Sequence, residues 1–226
     1  MHGSDGGVVM SKLVIKYVWE IPVRVTHWLN VVVILTLTAT GLFIAHPLSL
    51  GDSPSDFAMG WVRFIHFVAA YVFAIGLAVR AYWSLVGNKY SSWRTFFPYL
   101  NPDDRQRMWA TLRYYTFIDR RLPHVVGHNA VAAAAYFLVF LLYLGMIFTG
   151  FALYSEHAPG GFYAQTFGWL THLFSNQTLR LLHHGFMWLI LGFVIQHVYS
   201  CWLMDIKERG GIISSMFSGY KSIEEE

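Results

Sequence analysis

The segment LHHGFMWLILGFVIQHVYSCW, Leu182 to Trp202, is apolar enough to cross a bilayer, yet it carries imidazoles at both ends: His183 and His184 early, His197 late. A helix rises 1.5 Å per residue, which separates His183 from His197 by roughly 21 Å, most of the hydrocarbon thickness. At about 100° per residue, positions fourteen apart differ by roughly 40° and share a face, whereas positions thirteen apart differ by roughly 140°. His183, rather than His184, therefore looks the same way as His197. Two more apolar runs carry His27 and His66. With the runs alternating in direction, His27 stands level with His197 and His66 with His183. Two imidazoles facing each other across a helical bundle make the axial ligation of a haem iron, so the spacing predicts two haems, one on each pair. A lone intramembrane histidine also suits a proton relay or a hydrogen-bonded structural role, and that alternative stays open for each of the four taken singly. Unpartnered polar groups are costly in lipid, which makes four at matched depths harder to assign to packing.

Other residues fall near these levels. His184 reads as a structural or haem-edge residue, and His46, His157 and His172 as loop residues. Arg63 lies one turn from His66, and Arg80 lies fourteen residues beyond it on nearly the same face. Each could pair a haem propionate or snorkel to the headgroups. Gly41 and Gly76, like Gly145, Gly150 and Gly192, could let a flat macrocycle approach the backbone or serve close helix packing.

The elements that must position these groups follow from composition. The 226 residues are 55% hydrophobic, 18% aromatic and only 13% charged, a charged share well below that of a soluble domain. Four runs of about twenty apolar residues stand out: 25–45, 61–86, 130–154 and 183–204. They predict an all-α integral membrane protein, a four-transmembrane-helix bundle holding two haems in a single domain. Cys201 is the single cysteine, which excludes an intrachain disulfide and a cysteine-held metal cluster. No cleavable signal peptide is apparent at the start, so the first helix is expected to remain as an anchor. A net charge of +3 gives nucleic acid little to bind. All the basic residues except Arg63 and Arg180 fall on one side of the four runs, which predicts both termini in the cytoplasm. Within the connection 87–127, DDRQRMWATLRYYTFI alternates basic and aromatic residues as an interfacial helix on the inner lipid surface would. The opposite connections are short and rich in Gly, Pro and Ser, suited to a docking rim. No internal repeat is evident.

The stretches YVWEIPVRVTHWLN, MGWVRFIHFVAAYVFAIGLAVRAYW, GHNAVA, FTGFALYSE, LHHGFMW and ISSMFSGYK together resemble the cytochrome b subunit of membrane-bound nickel-iron uptake hydrogenases, from about Val18 to Tyr220. More distantly the arrangement is similar to the gamma subunit of formate dehydrogenase. The resemblance implies two b-type haems with His27, His66, His183 and His197 as ligands, and quinone as electron acceptor. It implies as partners a hydrogenase small subunit with iron-sulfur clusters and a large subunit, in the bacterial inner membrane, with no hydrogen-splitting site in this chain. Asn129 and His128, in the GHN at the inner start of the third run, are the expected quinone contacts, since a quinone carbonyl needs a donor and a proton source; Asn129 could instead cap the helix. Competing expectations are a diheme cytochrome of another quinone-linked complex, formate dehydrogenase or b561-like, a histidine proton relay, and a purely structural anchor.

Overall fold

Nearly continuous apolar sequence leaves its backbone one local way to pair every N–H and C=O in hydrocarbon, the helix. The computed structural model describes residues 12–47, 57–97, 102–116, 118–119, 130–208 and 210–225. The four runs form α1 (Ile21–Ala45), α2 (Ala58–Val86), α4 (Ala130–Ser155) and α7 (Asn176–Glu208), each long and apolar enough to cross a membrane. Three of them begin earlier than their apolar runs, because polar ends such as NQTLR before His183 continue the same helix. Only 11 to 22% of each apolar span is buried inside the protein, so most of the apolar surface points outward. That is the pattern of a bundle whose surroundings are themselves apolar.

The helices assemble as two antiparallel hairpins, α1 against α2 and α4 against α7. Val33, Ala69 and Phe73 form the core of the first, and it meets the second through rings of α2 and α4: Phe73 with Tyr143 at 4.9 Å and Phe67 with Tyr154 at 4.7 Å. The basic-aromatic stretch is the helix α3 (Pro102–Tyr115). At the end of the bundle away from the termini, the connection after α4 folds into α5 (Phe162–Phe167) and α6 (Trp169–Leu173), and Leu170 and Phe167 pack on Ala152 and Leu179.

To the expected helices the structure adds a cap at the terminal end. β1 (Lys12–Tyr17) pairs antiparallel with β2 (Tyr220–Glu225), in register from Lys12↔Glu225 to Tyr17↔Tyr220, and α8 (Ile212–Ser218) leads into β2. The Gly219 carbonyl accepts the N–H groups of Val18 and Trp19 at 2.8 and 3.1 Å, and the Trp19 indole donates to Ser215 at 3.1 Å. α8 also reaches α1 directly: Arg24 donates to the Phe217 carbonyl, and the Trp28 indole donates to the Met216 carbonyl at 3.1 Å.

Glu20 bolts the start of α1 to the end of α2. One carboxylate oxygen accepts from the Trp83 indole at 2.9 Å, the Asn88 backbone N–H at 2.8 Å and the Ser91 hydroxyl at 3.0 Å. Partial burial pushes its pKa up, but these three donors, the Asn88 amide foremost, outweigh it and hold the carboxyl below its ordinary value. The bolt is therefore at full strength above the ordinary carboxylate range and is lost as pH falls through the lowered value. Glu20→Gln is expected to weaken this junction between α1 and α2 by about 1–2 kcal/mol, since hydrogen bonds to a charged acceptor exceed neutral ones. Faster hydrogen exchange at the Asn88 amide, which donates to the carboxylate, would report it; unchanged protection there would mean that the carboxylate charge does not hold the junction.

Candidate functional site

Each of two levels carries one imidazole from each hairpin: the rings of His27 and His197 meet, and His183 lies close enough to His66 for the two to interact electrostatically. At the level away from the termini, His66 of α2 lies back against α1, where its Nδ1 is 2.8 Å from the Thr40 hydroxyl. His183 of α7 lies back against α4 in the same way, its Nδ1 2.9 Å from the Thr149 hydroxyl. Each threonine spends its own hydrogen on its helix: Thr40 Oγ1 is 2.7 Å from the Thr36 carbonyl and Thr149 Oγ1 2.7 Å from the Gly145 carbonyl. A hydroxyl has one hydrogen, so toward the ring it must accept, and the proton sits on Nδ1. Nε2 of both rings is left with a free lone pair.

The residue after each threonine is glycine, and the reason is contact. A Cβ on Gly41 would lie 3.4 Å from His66 Cε1, and one on Gly150 would lie 3.1 Å from His183 Cε1. The glycines let each ring lie flat on the neighbouring helix. Gly76 instead lets α2 approach Leu29 and Asn30 of α1, a Cβ on Gly145 would collide with Phe186 at 2.8 Å, and nothing lies within 4 Å of a Cβ on Gly192. His184 Nδ1 donates to the Arg180 carbonyl of its own helix at 2.7 Å.

At the level nearer the termini, His27 of α1 and His197 of α7 face each other with ring centroids 6.2 Å apart. Among the described residues, the buried side-chain polar atoms without a partner are Arg24 Nε, His27 Nδ1 and Asn30 Oδ1, three positions spaced one turn apart on one side of α1. His197 stacks on Phe193 at 5.6 Å and approaches the Tyr136 hydroxyl only at 3.5 Å.

The donor set can be tested against a metal group. No three His, Cys, Asp or Glu side chains converge among the described residues, so the histidines offer ligands in twos. Pairs suit a group that brings its own in-plane nitrogens and asks the protein for two axial ones. Imidazoles bound to one metal through nitrogens about 2 Å away on opposite sides would place their ring centroids about 6 Å apart. The separation of His27 and His197 fits.

The remaining expected residues are placed as follows. Arg63 is exposed at the start of α2, one turn before His66. Arg80 donates to the Ser91 carbonyl at 3.3 Å and lies over the Phe96 ring at 5.3 Å. His46, His157 and His172 are exposed. His128 and Asn129 lie outside the described residues. Sequence reasoning missed Thr40, Thr149 and Arg24. The signals were present in small form: Thr-Gly occurs at both 40–41 and 149–150, and an arginine stands three residues before each of His27, His66 and His183.

Known proteins are similar to this chain along nearly its whole length. The profile of the prokaryotic cytochrome b561 family matches residues 18–219. A protein of Cupriavidus necator named "Probable Ni/Fe-hydrogenase B-type cytochrome subunit" is 41% identical over 230 residues, covering 99% of this chain and 94% of that one. An Escherichia coli K12 protein named "Probable Ni/Fe-hydrogenase 1 B-type cytochrome subunit" is 40% identical over 220 residues, with coverage of 94% and 93%. A Rhizobium leguminosarum protein with the same name as the first is 41% identical over 208 residues, covering 90% of this chain and 87% of the relative.

Proposed function

The chain belongs to the prokaryotic cytochrome b561 family, and from that membership and the paired histidines we propose that it is the diheme membrane subunit of a nickel-iron hydrogenase, carrying electrons from the hydrogenase small subunit to quinone. The single observation that carries this reading is the meeting of His27 and His197, one from each hairpin, with His66 and His183 each held by a threonine of its own hairpin at the other level. His66 and His183 would hold one haem b and His27 and His197 the other. A haem held by two imidazoles exchanges one electron without changing its ligands, which suits a relay.

The protein's own groups supply the rest. Thr40 and Thr149 orient two of the imidazoles and leave Nε2 free. Arg24 offers a partly buried guanidinium one turn from His27, with Nε free beside its bond to Phe217 and suited to a propionate, and Arg63 offers an exposed one a turn from His66; Arg80 is a third candidate, although it already engages Ser91 and Phe96. Burying the rings among aromatic side chains such as Phe193 and Tyr136 excludes water from the inner level. The charge distribution supports cytoplasmic termini in a bacterial inner membrane. In that orientation the His27/His197 level faces the cytoplasm and the small subunit would dock outside, near α5 and α6. Quinone reduced near the inner level, with His128 and Asn129 as contacts, would draw its protons from the cytoplasm.

The test is haem content. Chain purified in detergent should carry two b haems by pyridine haemochrome, with absorption bands that sharpen on dithionite, and should isolate with a nickel-containing large subunit. A colourless protein would leave the proton-relay reading, and two haems with a different enzyme attached would move the chain to another quinone-linked complex.

A further inference from the structure

The two histidine levels differ in what holds Nδ1 of each ring. Away from the termini, Nδ1 of each ring lies at normal hydrogen-bond length from a threonine oxygen, 2.8 Å for His66 and 2.9 Å for His183, and each ring also bonds a backbone carbonyl of that threonine's helix, Leu37 and Met146 respectively, so that it donates to both. Each threonine hydroxyl gives its hydrogen to a backbone carbonyl at 2.7 Å, and a hydroxyl polarised in this way is a stronger acceptor. Nearer the termini, His27 Nδ1 has no partner. His197 Nδ1 has only the Tyr136 hydroxyl at 3.5 Å and the Cys201 sulfur at 3.8 Å.

An acceptor on Nδ1–H pushes electron density toward Nε2 and makes the imidazole a more basic ligand. A more basic axial ligand stabilises the ferric state relative to the ferrous one, and second-shell hydrogen bonding is one of the levers that set a haem's potential. Two such bonds act at one level and none of comparable length at the other. We propose that Thr40 and Thr149 are paired potential-setting residues, which hold the His66/His183 iron at a lower potential than the His27/His197 iron and so grade the two levels downhill toward the terminal end. The inference rests on the diheme reading. It also explains why the Thr-Gly pair occurs on both α1 and α4: the threonine supplies the acceptor and the glycine lets the ring reach it.

The experiment is a redox titration of the holoprotein, following the b-haem absorption bands of wild type, Thr40→Val, Thr149→Val and the double variant. Valine keeps the shape and removes the hydroxyl acceptor, leaving only the Leu37 and Met146 carbonyls. Each single change is expected to raise the lower of two reduction steps by about a tenfold change in ferrous-to-ferric ratio, about 59 mV for one electron, and to leave the upper step in place. The double variant should shift further, and Thr→Ser at either position should restore the wild-type value, which a purely structural role would not require. The order of the levels is testable without altering a threonine. His66→Ala should delete the lower step and His27→Ala the upper. Unmoved steps in the valine variants, or loss of the upper step in His66→Ala, would overturn the inference. Fewer than two haems in wild type would instead overturn the diheme reading beneath it.

Discussion

His66→Ala is expected to strip one of two haems from the chain and leave the other in place, and His27→Ala is expected to strip the other. The two levels stand roughly 21 Å apart along α7 and share no hydrogen-bond partner, so the losses should be independent and additive. At the His66 level the damage is double, because alanine removes both a ligand and the group that occupies the Thr40 hydroxyl. Either variant should lower hydrogen-to-quinone turnover of the assembled complex by at least about 100-fold, since loss of even a supporting partner of a metal ligand costs about 10–100-fold. Haem per chain by pyridine haemochrome, with turnover on the same preparations, decides it. Full turnover in His66→Ala would mean that the chain only anchors the enzyme. Loss of both haems in one variant would mean that the levels are not separate.

Gly219→Ala is expected to open the cap at the terminal end. Gly219 has φ of 88°, a left-handed conformation that costs an L residue about 1–2 kcal/mol. A Cβ there would also lie 2.6 Å from Tyr17 Cε2 and 2.8 Å from the Trp19 carbonyl oxygen. The backbone cannot retreat without breaking the two hydrogen bonds that its carbonyl accepts from Val18 and Trp19. The combined loss should be about 3 kcal/mol or more. Gly160→Ala is the control: φ there is 86°, but nothing lies within 4 Å of the added carbon, so it carries backbone strain alone. With the cap open, α8 no longer holds Arg24 and Trp28 on either side of His27. Hydrogen exchange across β1 and β2 should accelerate in Gly219→Ala far more than in the control. Haem loss, if it follows, should fall on the His27 level. Equal exchange in both variants would mean that the collision is relieved locally and that the cap tolerates it.

Features that depend on one helix at a time are written in the sequence. An apolar run long enough to span hydrocarbon is a local property, so α1, α2, α4 and α7 were legible, with only their polar ends extended in the structure. Helical rise and phase are equally local, which is why His27 could be matched to His197 by level and why His183 was preferred to His184. Motifs in fixed order along the chain carried the family. Features that depend on the register between helices emerge only on packing. Thr36, Thr40 and Thr149 all bond back to carbonyls of their own helices, and although Thr40 and Thr149 precede a glycine, only the docking of α2 on α1 and α7 on α4 shows that these two meet a histidine. Arg24 is one more inner charge in the sequence, and packing leaves its Nε buried without a partner one turn from His27. β1 and β2 pair residues about two hundred positions apart, so no turn between them could announce the ribbon. Glu20, Trp83, Asn88 and Ser91 likewise converge from two helices. The division follows the range of the forces: hydrophobic span and helical phase are set within a few turns of one chain segment, whereas a hydrogen bond 3 Å long exists only once packing has fixed two distant segments to within an ångström.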